Sequence, residues 1–570
     1  MPDVFLLEYL LQRLGVSPDD FETVLFDDEY KEIERRDQIE AEIESGNLVE
    51  ADKILEEHFA DSNKDDIKHQ YYYQIKAVLE SVRGNHIEAL KYTEKAFVCT
   101  HPKFKVGNKN DMLLSTKEIE LLCMMADESM LIGDTDDAKI IVKYLVNYIK
   151  TNSIQDIELV KTFSKIAYLS ACLAATKKEQ IEGISQCESV FKLLIDCDST
   201  VFLAEIMEIL IENYRSMNLG NRVIHLENQL GSIKALYEKF GGCIYVTQSK
   251  MKWFKETYRK EYLLCKEMIR GERLARDVSR NELIEGIYQD PETLVRIECG
   301  NQNPSHNKYS LLMQRLGMPL EKYNSPPVSE EKEIYEIKKK IIDYFSIHDY
   351  EAARIELEKL SLKVESNDAI TVQYLMRQNA MLEFELNQIS PEAFCEKTVN
   401  ALKKTYAGDL TELPRIPTQG EIEIFNYLAI AYWQMGEINK GISLYEKLLT
   451  AYANTSVIEK YHFRGLALLI RNYLRLLEES GETDKALEIA ERELKLEILA
   501  LRGGGMDIVA SEIACVYEKM DLEENKKKKA VEKYLRHAFY LSDLFMRESD
   551  NKLYDNYYRA NVNNDIKWYE

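Results

Sequence analysis

Apolar and polar residues alternate along most of this chain with the period of an α-helix. The run Ile424–Met435 places apolar residues three and four positions apart, and a second run of the same kind, Ile438–Leu449, follows after Gly436. Residues at i, i+3, i+4 and i+7 share one face of a helix, so each run predicts an amphipathic helix with one buried side. A glycine between two such runs ends the first helix in a left-handed conformation. The pattern therefore predicts helical hairpins.

A glycine between two amphipathic runs recurs along the chain, with a small residue five positions after it. A small residue early in the second helix allows the two helices of a hairpin to approach closely. The pairs are Gly46/Ala51, Gly84/Ala89, Gly133/Ala138 and Gly481/Ala486, with Gly436/Gly441 as a close variant. Less regular hairpins are predicted for residues 159–195, 200–240, 370–402 and 506–549.

These hairpins resemble the tetratricopeptide repeat. Gly84, Ala89 and Ala96 match the small-residue positions of that repeat, and Gly436, Gly441 and Tyr445 match it again. The resemblance implies superhelical arrays whose concave face binds an extended peptide. With only 11 prolines and 23 glycines in 570 residues, the predicted fold class is all-α.

A longer repeat relates the beginning of the chain to its middle. Residues 1–56 align with residues 303–358 without a gap, at an offset of 302 positions. The Gln-Arg-Leu-Gly sequence at 12–15 recurs at 314–317, and Ala51 falls on Ala353. The sequence therefore predicts two copies of one module, the first of which begins part-way through.

Two short helices joined by a tight turn are predicted immediately before the second copy of that alignment. Ser279 is placed to cap a short helix that Gly286 ends. Asp290 followed by Pro291 is the start of a second helix, in which Leu294 and Ile297 share a face. This arrangement is typical of a helix-turn-helix, whose second helix enters the major groove of DNA.

Residues 268–318 resemble the Cro/cI-type (XRE) helix-turn-helix family through the sequence Thr-Leu-x-Arg-Ile-Glu-x-Gly at 293–300 and the final Leu-Gly at 316–317. The resemblance implies that residues 291–298 form the recognition helix. It implies DNA contacts by Arg280, Glu292, Thr293 and Arg296.

The predicted DNA-binding segment is electrically neutral. Seven basic and seven acidic side chains lie between Ile269 and Gly317. Glu292 can accept a hydrogen bond from cytosine but also repels phosphate. An alternative is therefore kept open, in which the helix-turn-helix survives as a packing unit that does not bind DNA.

The predicted domains follow from these patterns. Residues 1–24 are predicted to be the remnant of the last helix of a first helix-turn-helix, unless sequence upstream of Met1 encodes the rest of it. Residues 25–262 are predicted as helical repeats, 263–320 as the helix-turn-helix, 321–330 as a linker and 331–570 as a second set of repeats.

A helix-turn-helix joined to tetratricopeptide-like repeats resembles the Rgg/PlcR (RRNPP) group of peptide-responsive bacterial regulators. The resemblance implies a short peptide in the repeat groove and a homodimer that binds DNA. It also implies that asparagines facing the groove hold the peptide backbone, and Asn213, Asn426 and Asn472 are the candidates.

Composition narrows the remaining function classes. A net charge of −24 excludes a protein that coats nucleic acid through its overall charge. The N-terminus does not read as a signal peptide and no run of 18 apolar residues occurs, so we expect a cytoplasmic protein without a membrane partner.

Metal, nucleotide and nucleophile motifs are not found in the sequence, so we expect no cofactor, no metal and no enzyme. The leading prediction is a peptide-sensing transcriptional regulator. The alternative is a helical-repeat scaffold or regulatory protein.

Overall fold

The computed structural model describes residues 3–60, 66–103, 112–318, 321–327, 331–364, 368–408 and 413–561. Within these residues it contains 26 α-helices and three short strands, so the predicted all-α class is confirmed. None of the described helices is both long and apolar enough to cross a membrane.

The first part of the chain is a series of helical hairpins. A single helix and a strand precede them, α1 (Val4–Arg13) and β1 (Glu22–Leu25). The hairpins are α2 (Asp27–Ser45) with α3 (Leu48–Phe59), α4 (Asp66–Val82) with α5 (His86–Thr100), α6 (Thr116–Leu131) with α7 (Thr135–Thr151), α8 (Asp156–Cys172) with α9 (Lys177–Asp196), and α10 (Leu203–Ser216) with α11 (Gly220–Lys239). We call these ten helices the first array.

Four short helices follow a second strand, β2 (Glu261–Leu264). They are α12 (Cys265–Ala275), α13 (Arg280–Ile284), α14 (Pro291–Glu298) and α15 (His306–Arg315). A third strand, β3 (Tyr323–Asn324), lies in the segment predicted as a linker.

The last part of the chain again forms hairpins. They are α16 (Lys332–Ser346) with α17 (Tyr350–Lys363), α18 (Ala369–Glu385) with α19 (Pro391–Leu402), α20 (Gln419–Gln434) with α21 (Ile438–Asn454), α22 (Phe463–Ser480) with α23 (Thr483–Leu499), and α24 (Met506–Lys519) with α25 (Glu524–Leu544), followed by α26 (Glu548–Asn561). We call α16 to α23 the second array.

The predicted hairpin signals have the expected geometry. The five glycines that end first helices all have positive φ, between +77° and +92°, which a residue with a side chain adopts only with strain. The alanines that follow them, at 51, 89, 138 and 486, are fully buried. At Gly441 an added Cβ would lie 2.7 Å from a Leu476 methyl group. The small residues are therefore required by the close approach of neighbouring helices.

The chain divides into two compact units. The central unit contains Asp19–Tyr30 and Arg259–Ala490, and the flanking unit contains Pro2–Pro18, Lys31–Tyr258 and Glu491–Glu570. In the flanking unit α25 packs on α11. There the Asp543 carboxylate accepts a hydrogen bond from the Gln229 side chain at 2.6 Å and lies 2.6 Å from the His225 Nε2. Hairpins from both ends of the sequence therefore share one unit.

The three strands form a small sheet in the central unit, in the order β2-β1-β3. β1 pairs in parallel with β2 and antiparallel with β3, and Glu22 lies opposite Asn324. These two residues are equivalent in the 302-residue repeat. The equivalent segments therefore pair around a local two-fold axis at Glu22 and Asn324.

Helix boundaries repeat at the same spacing. α1 spans Val4–Arg13 and α15 spans His306–Arg315, so both ends differ by 302 positions. α3 begins at Leu48 and α17 at Tyr350, again 302 positions apart. The repeat seen in the sequence is thus also a repeat of secondary structure.

Candidate functional site

The helices α13 and α14 have the ends that the sequence predicts. The Ser279 hydroxyl accepts from the Glu282 amide at 3.3 Å and the Glu282 carboxylate accepts from the Ser279 amide at 2.7 Å, which is a capping box. Asp290 accepts from the Glu292 amide at 3.0 Å, with Pro291 in the first turn. These caps fix where each short helix begins.

A small core holds the four helices together. α13 contacts α14 and α15, and α12 contacts α14. The buried side chains are Met268, Ile269, Leu283, Ile284, Leu294, Ile297, Tyr309 and Leu312. Burial of these apolar side chains holds α14 in place, so the residues on its outer face are not needed for packing.

The four residues predicted to contact DNA lie on α13 and α14. Arg280 keeps 45% of its side-chain surface exposed, while its Nε donates to Glu298 at 2.8 Å. Glu292 and Arg296 are exposed and Thr293 is partly exposed. The structure thus places Glu292, Thr293 and Arg296 within one helix, and their role in DNA binding stays a prediction.

Glu298 is the buried anchor of this module. Its carboxylate, 2% exposed, accepts from Arg273 at 2.5 Å as well as from Arg280. A carboxylate shared by two guanidinium groups is a strong, charge-assisted arrangement. Arg280 is therefore held in a defined position at the start of α13.

The surface around these residues is acidic. Glu282, Glu285, Asp290 and Glu292 are all exposed on or beside α13 and α14. Exposed carboxylates repel phosphate, and salt screens that repulsion. Although the segment has equal numbers of basic and acidic residues, its exposed surface is therefore not basic.

A cavity of about 260 Å³ lies in the central unit, among the first helices of the second array. Its helical lining comes from α16, α18, α20 and α22. The lining residues are Asp20, Glu22, Asn324, Ser325, Pro326, Lys338, Ile342, Phe345, Ile370, Gln373, Tyr374, Arg377, Gln378, Met381, Thr405, Thr418, Gln419, Gly420, Glu423, Tyr427 and Arg464.

Three polar atoms of this lining are buried without a hydrogen-bond partner in the described chain. They are the Tyr374 hydroxyl and the side-chain oxygens of Gln378 and Gln419. Leaving a buried polar group unpaired costs about 1–3 kcal/mol. A ligand with amide groups can recover that cost.

One side of the cavity is cationic. Burial and the nearby Arg464 lower the pKa of Lys338 to about 8, and its Nζ donates to the Ser325 hydroxyl at 2.8 Å. Arg377 pairs with Glu423 at 2.9 Å and donates to the Gly420 carbonyl at 3.0 Å. This side of the cavity favours a negatively charged group.

A fully buried ion cluster lies next to the cavity. Arg415 donates to Glu421 at 2.8 Å and to Glu272 at 2.7 Å, and all three side chains are fully buried. Burial alone would lower the pKa of Arg415, but the two carboxylates raise it above its ordinary value. Arg415 therefore joins α12 to α20 of the second array.

The cluster continues to the cavity wall. The Thr405 hydroxyl donates to Glu421 at 2.7 Å and accepts from the Gln373 amide. Gln373 and Thr405 both line the cavity. A continuous path of hydrogen bonds and ion pairs thus leads from the cavity to Glu272 on α12.

The main chain of α12 also lies very close to the segment that carries Arg415. An added Cβ at Gly271 would lie 2.7 Å from the Pro414 carbonyl oxygen and 2.7 Å from the Arg415 Cβ. Only glycine allows α12 to approach this segment so closely. The contact leaves little space for α12 to move independently of Arg415.

The asparagines proposed as ligand contacts lie elsewhere. Asn426 is buried, and its side-chain oxygen accepts from Tyr445 and from Asn472, each at 2.9 Å. The Asn213 side-chain amide on α10 lies 3.7 Å from the sulfur of Met217, the residue that follows this helix. None of the three lines the cavity, and their role in ligand binding stays a prediction.

Sequence reasoning missed Arg415, Lys338 and Gln378. Thr418 and Glu421 form a capping box that could have been found, because the Thr-x-x-Glu spacing is readable. Lys338 and Gln378 lie on amphipathic helices, where the sequence pattern does not separate a cavity wall from the solvent face.

One family model matches the chain in the region of the second array. Residues 338–502 match the RNPP family C-terminal domain. A search of curated protein sequences gives no match.

Solved structures that are similar to this chain include PlcR, ComR and Rgg2. Bacillus thuringiensis PlcR in complex with the peptide PapR7 and DNA is 17% identical, with 51% of this chain and 99% of PlcR covered and a TM-score of 0.35. ComR from S. thermophilus, in complex with DNA and its signalling peptide ComS, is 16% identical, with 52% and 99% covered and a TM-score of 0.32. The Streptococcus dysgalactiae SHP pheromone receptor Rgg2 is 14% identical, with 52% and 100% covered and a TM-score of 0.29.

We predict that Arg415→Met destabilises the central unit by about 3–5 kcal/mol, because it leaves two carboxylates buried without their partner. Denaturant unfolding measures the loss. The exposed Lys404→Met is the matched control and should stay within about 0.5 kcal/mol of the parent. Equal stability of the two variants would contradict the assigned role of Arg415.

We predict that Glu22→Gln stabilises the protein increasingly as pH rises. Burial raises the pKa of Glu22 to about 8, the Gln419 amide opposes that shift, and Glu261 adds to it. Between the ordinary carboxyl pKa and about pH 8 the folded protein holds a proton that the unfolded chain releases, so parent stability falls across this window. A glutamine at position 22 has no proton to lose, and its side-chain oxygen can still accept from the backbone amide of Gln419.

Unfolding free energies at about pH 5 and about pH 8 check this prediction. The exposed Glu396→Gln is the control and should show the same pH dependence as the parent. A Glu22→Gln effect that does not grow with pH would show that Glu22 is ionised in the folded protein.

The resemblance to the Rgg/PlcR group that the sequence motifs indicate is confirmed, since residues 338–502 match the RNPP family C-terminal domain.

Proposed function

We propose that this protein is a transcriptional regulator that binds a short peptide in the cavity of the second array and transmits its presence to the helix-turn-helix. The observation that carries the proposal is the buried path from Gln373 through Thr405, Glu421 and Arg415 to Glu272. It connects two separate sites physically, and a connected network of this kind can carry allosteric coupling.

The cavity supports a peptide as the ligand. Its volume of about 260 Å³ approaches the lower end of small-ligand pockets, about 300 Å³. The Tyr374 hydroxyl can donate to a peptide carbonyl, while the oxygens of Gln378 and Gln419 can accept from peptide amides. Lys338 and Arg464 fit a carboxylate, such as the C-terminus of the peptide.

The helix-turn-helix supports DNA as the second partner. α14 carries Glu292, Thr293 and Arg296 on a capped helix held by a buried core. A helix of this kind contacts base edges from the major groove, and paired modules read two half-sites about one DNA turn apart. We therefore propose DNA binding by a homodimer of this chain, with Arg280 placed at a phosphate.

A scaffold without DNA binding is the second candidate. The exposed carboxylates Glu282, Glu285, Asp290 and Glu292 favour it, because they surround the proposed DNA-binding residues. The same cavity and ion cluster would then control a protein partner of the module.

We predict saturable binding to DNA from the region upstream of the chain's own coding sequence, and a loss of roughly tenfold or more in affinity for Arg296→Ala. Fluorescence anisotropy at several salt concentrations measures both the affinity and its salt dependence. The control is Lys339→Ala, an exposed residue of α16 outside the module. Absence of saturable binding at low salt would leave the scaffold candidate standing.

We predict that affinity selection from a pool of random-sequence synthetic peptides recovers peptides with a free C-terminus. Amidating a selected peptide should weaken its binding about tenfold or more, because the charge-assisted contacts to the cationic side are lost. Binding should also weaken as pH rises through about 8, since Lys338 loses its proton there.

Gln378→Leu and the exposed Lys404→Met form the matched pair for this experiment. Calorimetry with one selected peptide should show weaker binding for the first variant and parent-like binding for the second. Equal affinity for amidated and free peptides would remove the carboxylate from the proposal, and equal affinity of both variants would place the peptide outside the cavity.

A further inference from the structure

The segment Ile244–Tyr258, between α11 and β2, is buried although it forms no α-helix. Its only regular elements are two single turns of 3-10 helix, Val246–Gln248 and Lys252–Phe254. The side chains of Ile244, Val246, Met251, Trp253 and Phe254 are nonetheless 1–4% exposed. We call the whole stretch from Ile244 to Tyr258 the crossing segment.

The crossing segment is bound to α2 through its backbone. Glu44 accepts from the Lys250 amide at 3.2 Å, from the Met251 amide at 3.4 Å and from the Ser249 hydroxyl. The Lys255 ammonium lies 3.1 Å from the same carboxylate. Although burial opposes it, these donors lower the pKa of Glu44.

The crossing segment is bound to α10 in the same manner. Glu205 accepts from the Thr247 amide at 2.8 Å, and Glu208 accepts from the Tyr245 hydroxyl at 2.5 Å. Carboxylates on α2 and α10 thus accept from three backbone amides of the segment, those of Thr247, Lys250 and Met251. These amides donate to side chains instead of to main-chain carbonyls, so α2 and α10 hold the main chain of the segment directly.

The bulkiest anchor of the segment faces α6. The Trp253 indole donates to Asp127 at 2.9 Å, and Lys252 pairs with the same carboxylate at 2.7 Å. The Trp253 ring stacks on Phe202, with 5.8 Å between ring centroids. Further along, Glu256 pairs with Lys117 of α6.

The helices α2, α6 and α10 are each the first helix of a hairpin of the first array. In the second array the corresponding helices, α16, α18, α20 and α22, line the cavity. The first helices therefore hold a stretch of the chain itself in one array and line an open cavity in the other.

We propose that the crossing segment is a built-in ligand of the first array, so that this array is closed to free peptides and each chain takes one free peptide rather than two. The second part of this statement rests on the proposed function of the second array. The first part depends only on the contacts of the crossing segment.

Tethering explains why the segment excludes competitors. A segment attached by short linkers is present at an effective concentration of about 1 mM. A free peptide at micromolar concentration cannot displace it unless the tethered contacts are first weakened. Substitution within the segment should therefore open the face of the first array.

The test uses a labelled synthetic peptide with the sequence of residues 243–258, added to the full-length protein. Trp253→Ala should bind this peptide at least tenfold more tightly than the parent does. Gln248→Ala, which alters an exposed side chain of the same segment, is the control and should behave like the parent. Adding Asp127→Asn to Trp253→Ala should weaken the binding again, because Asp127 accepts from the peptide indole.

Equal peptide binding by the parent and by a folded Trp253→Ala variant would overturn the proposal, as would no binding by either. If Trp253→Ala does not fold, hydrogen exchange of the parent decides. The Lys250 and Met251 amides should then exchange as slowly as those of α6, and Glu44→Gln should accelerate them selectively. Exchange at the rate of a free chain would overturn the proposal. Neither readout uses DNA or a peptide in the second array, so failure of the proposed function would be recognised separately.

Discussion

The guanidinium of Arg415, shared between Glu272 and Glu421, is the interaction on which the central unit depends. Removing three charged groups from water is expensive, and only near-complete pairing offsets the cost. Arg415 donates from three nitrogens, to both carboxylates and to the Ile416 carbonyl at 2.9 Å. The position of α12 is therefore set by the segment between α19 and α20, and that segment also forms part of the cavity wall.

This arrangement gives the cavity and the helices α12 to α15 a common element with little freedom. A ligand that changes the hydrogen bond between Gln373 and Thr405 also alters what Glu421 accepts. Buried polar networks respond as a unit, because each partner polarises the next. The tight contact of Gly271 with Pro414 means that a shift of the segment moves α12 as well.

The internal repeat places equivalent parts in different roles. α1 and α15 are equivalent, yet Arg13 of α1 pairs with the buried Glu118, whereas Arg315 of α15 donates to the Leu283 carbonyl at 2.9 Å. The first helices of the first array hold the crossing segment, and those of the second array line a cavity. A duplicated module thus supplies a closed copy and an open copy within one chain.

Local features were predictable from the sequence and pairings between distant residues were not. Gly84 and Gly436 end helices where the sequence predicts, and α14 spans the predicted residues 291–298, because caps and periodicity are local signals. The strands β1, β2 and β3 are two to four residues long, too short for a periodic pattern. Asn426 and Asn472 could not be recognised as partners of each other, because only the packing of α20 against α22 brings them together.

The most direct measurement of the central claim is the effect of a cavity-binding peptide on DNA affinity in a protein whose ion cluster is replaced by apolar residues. The triple variant Glu272→Met, Arg415→Leu and Glu421→Met removes all three fully buried charges together, and Arg276, which also pairs with Glu272, keeps 27% of its side-chain surface exposed, so folding can be retained. We predict that peptide shifts the DNA affinity of the parent by about 5-fold to 150-fold, the usual range of allosteric coupling, and that the shift disappears in the triple variant while both ligands still bind. An undiminished shift in the triple variant would contradict coupling through Arg415.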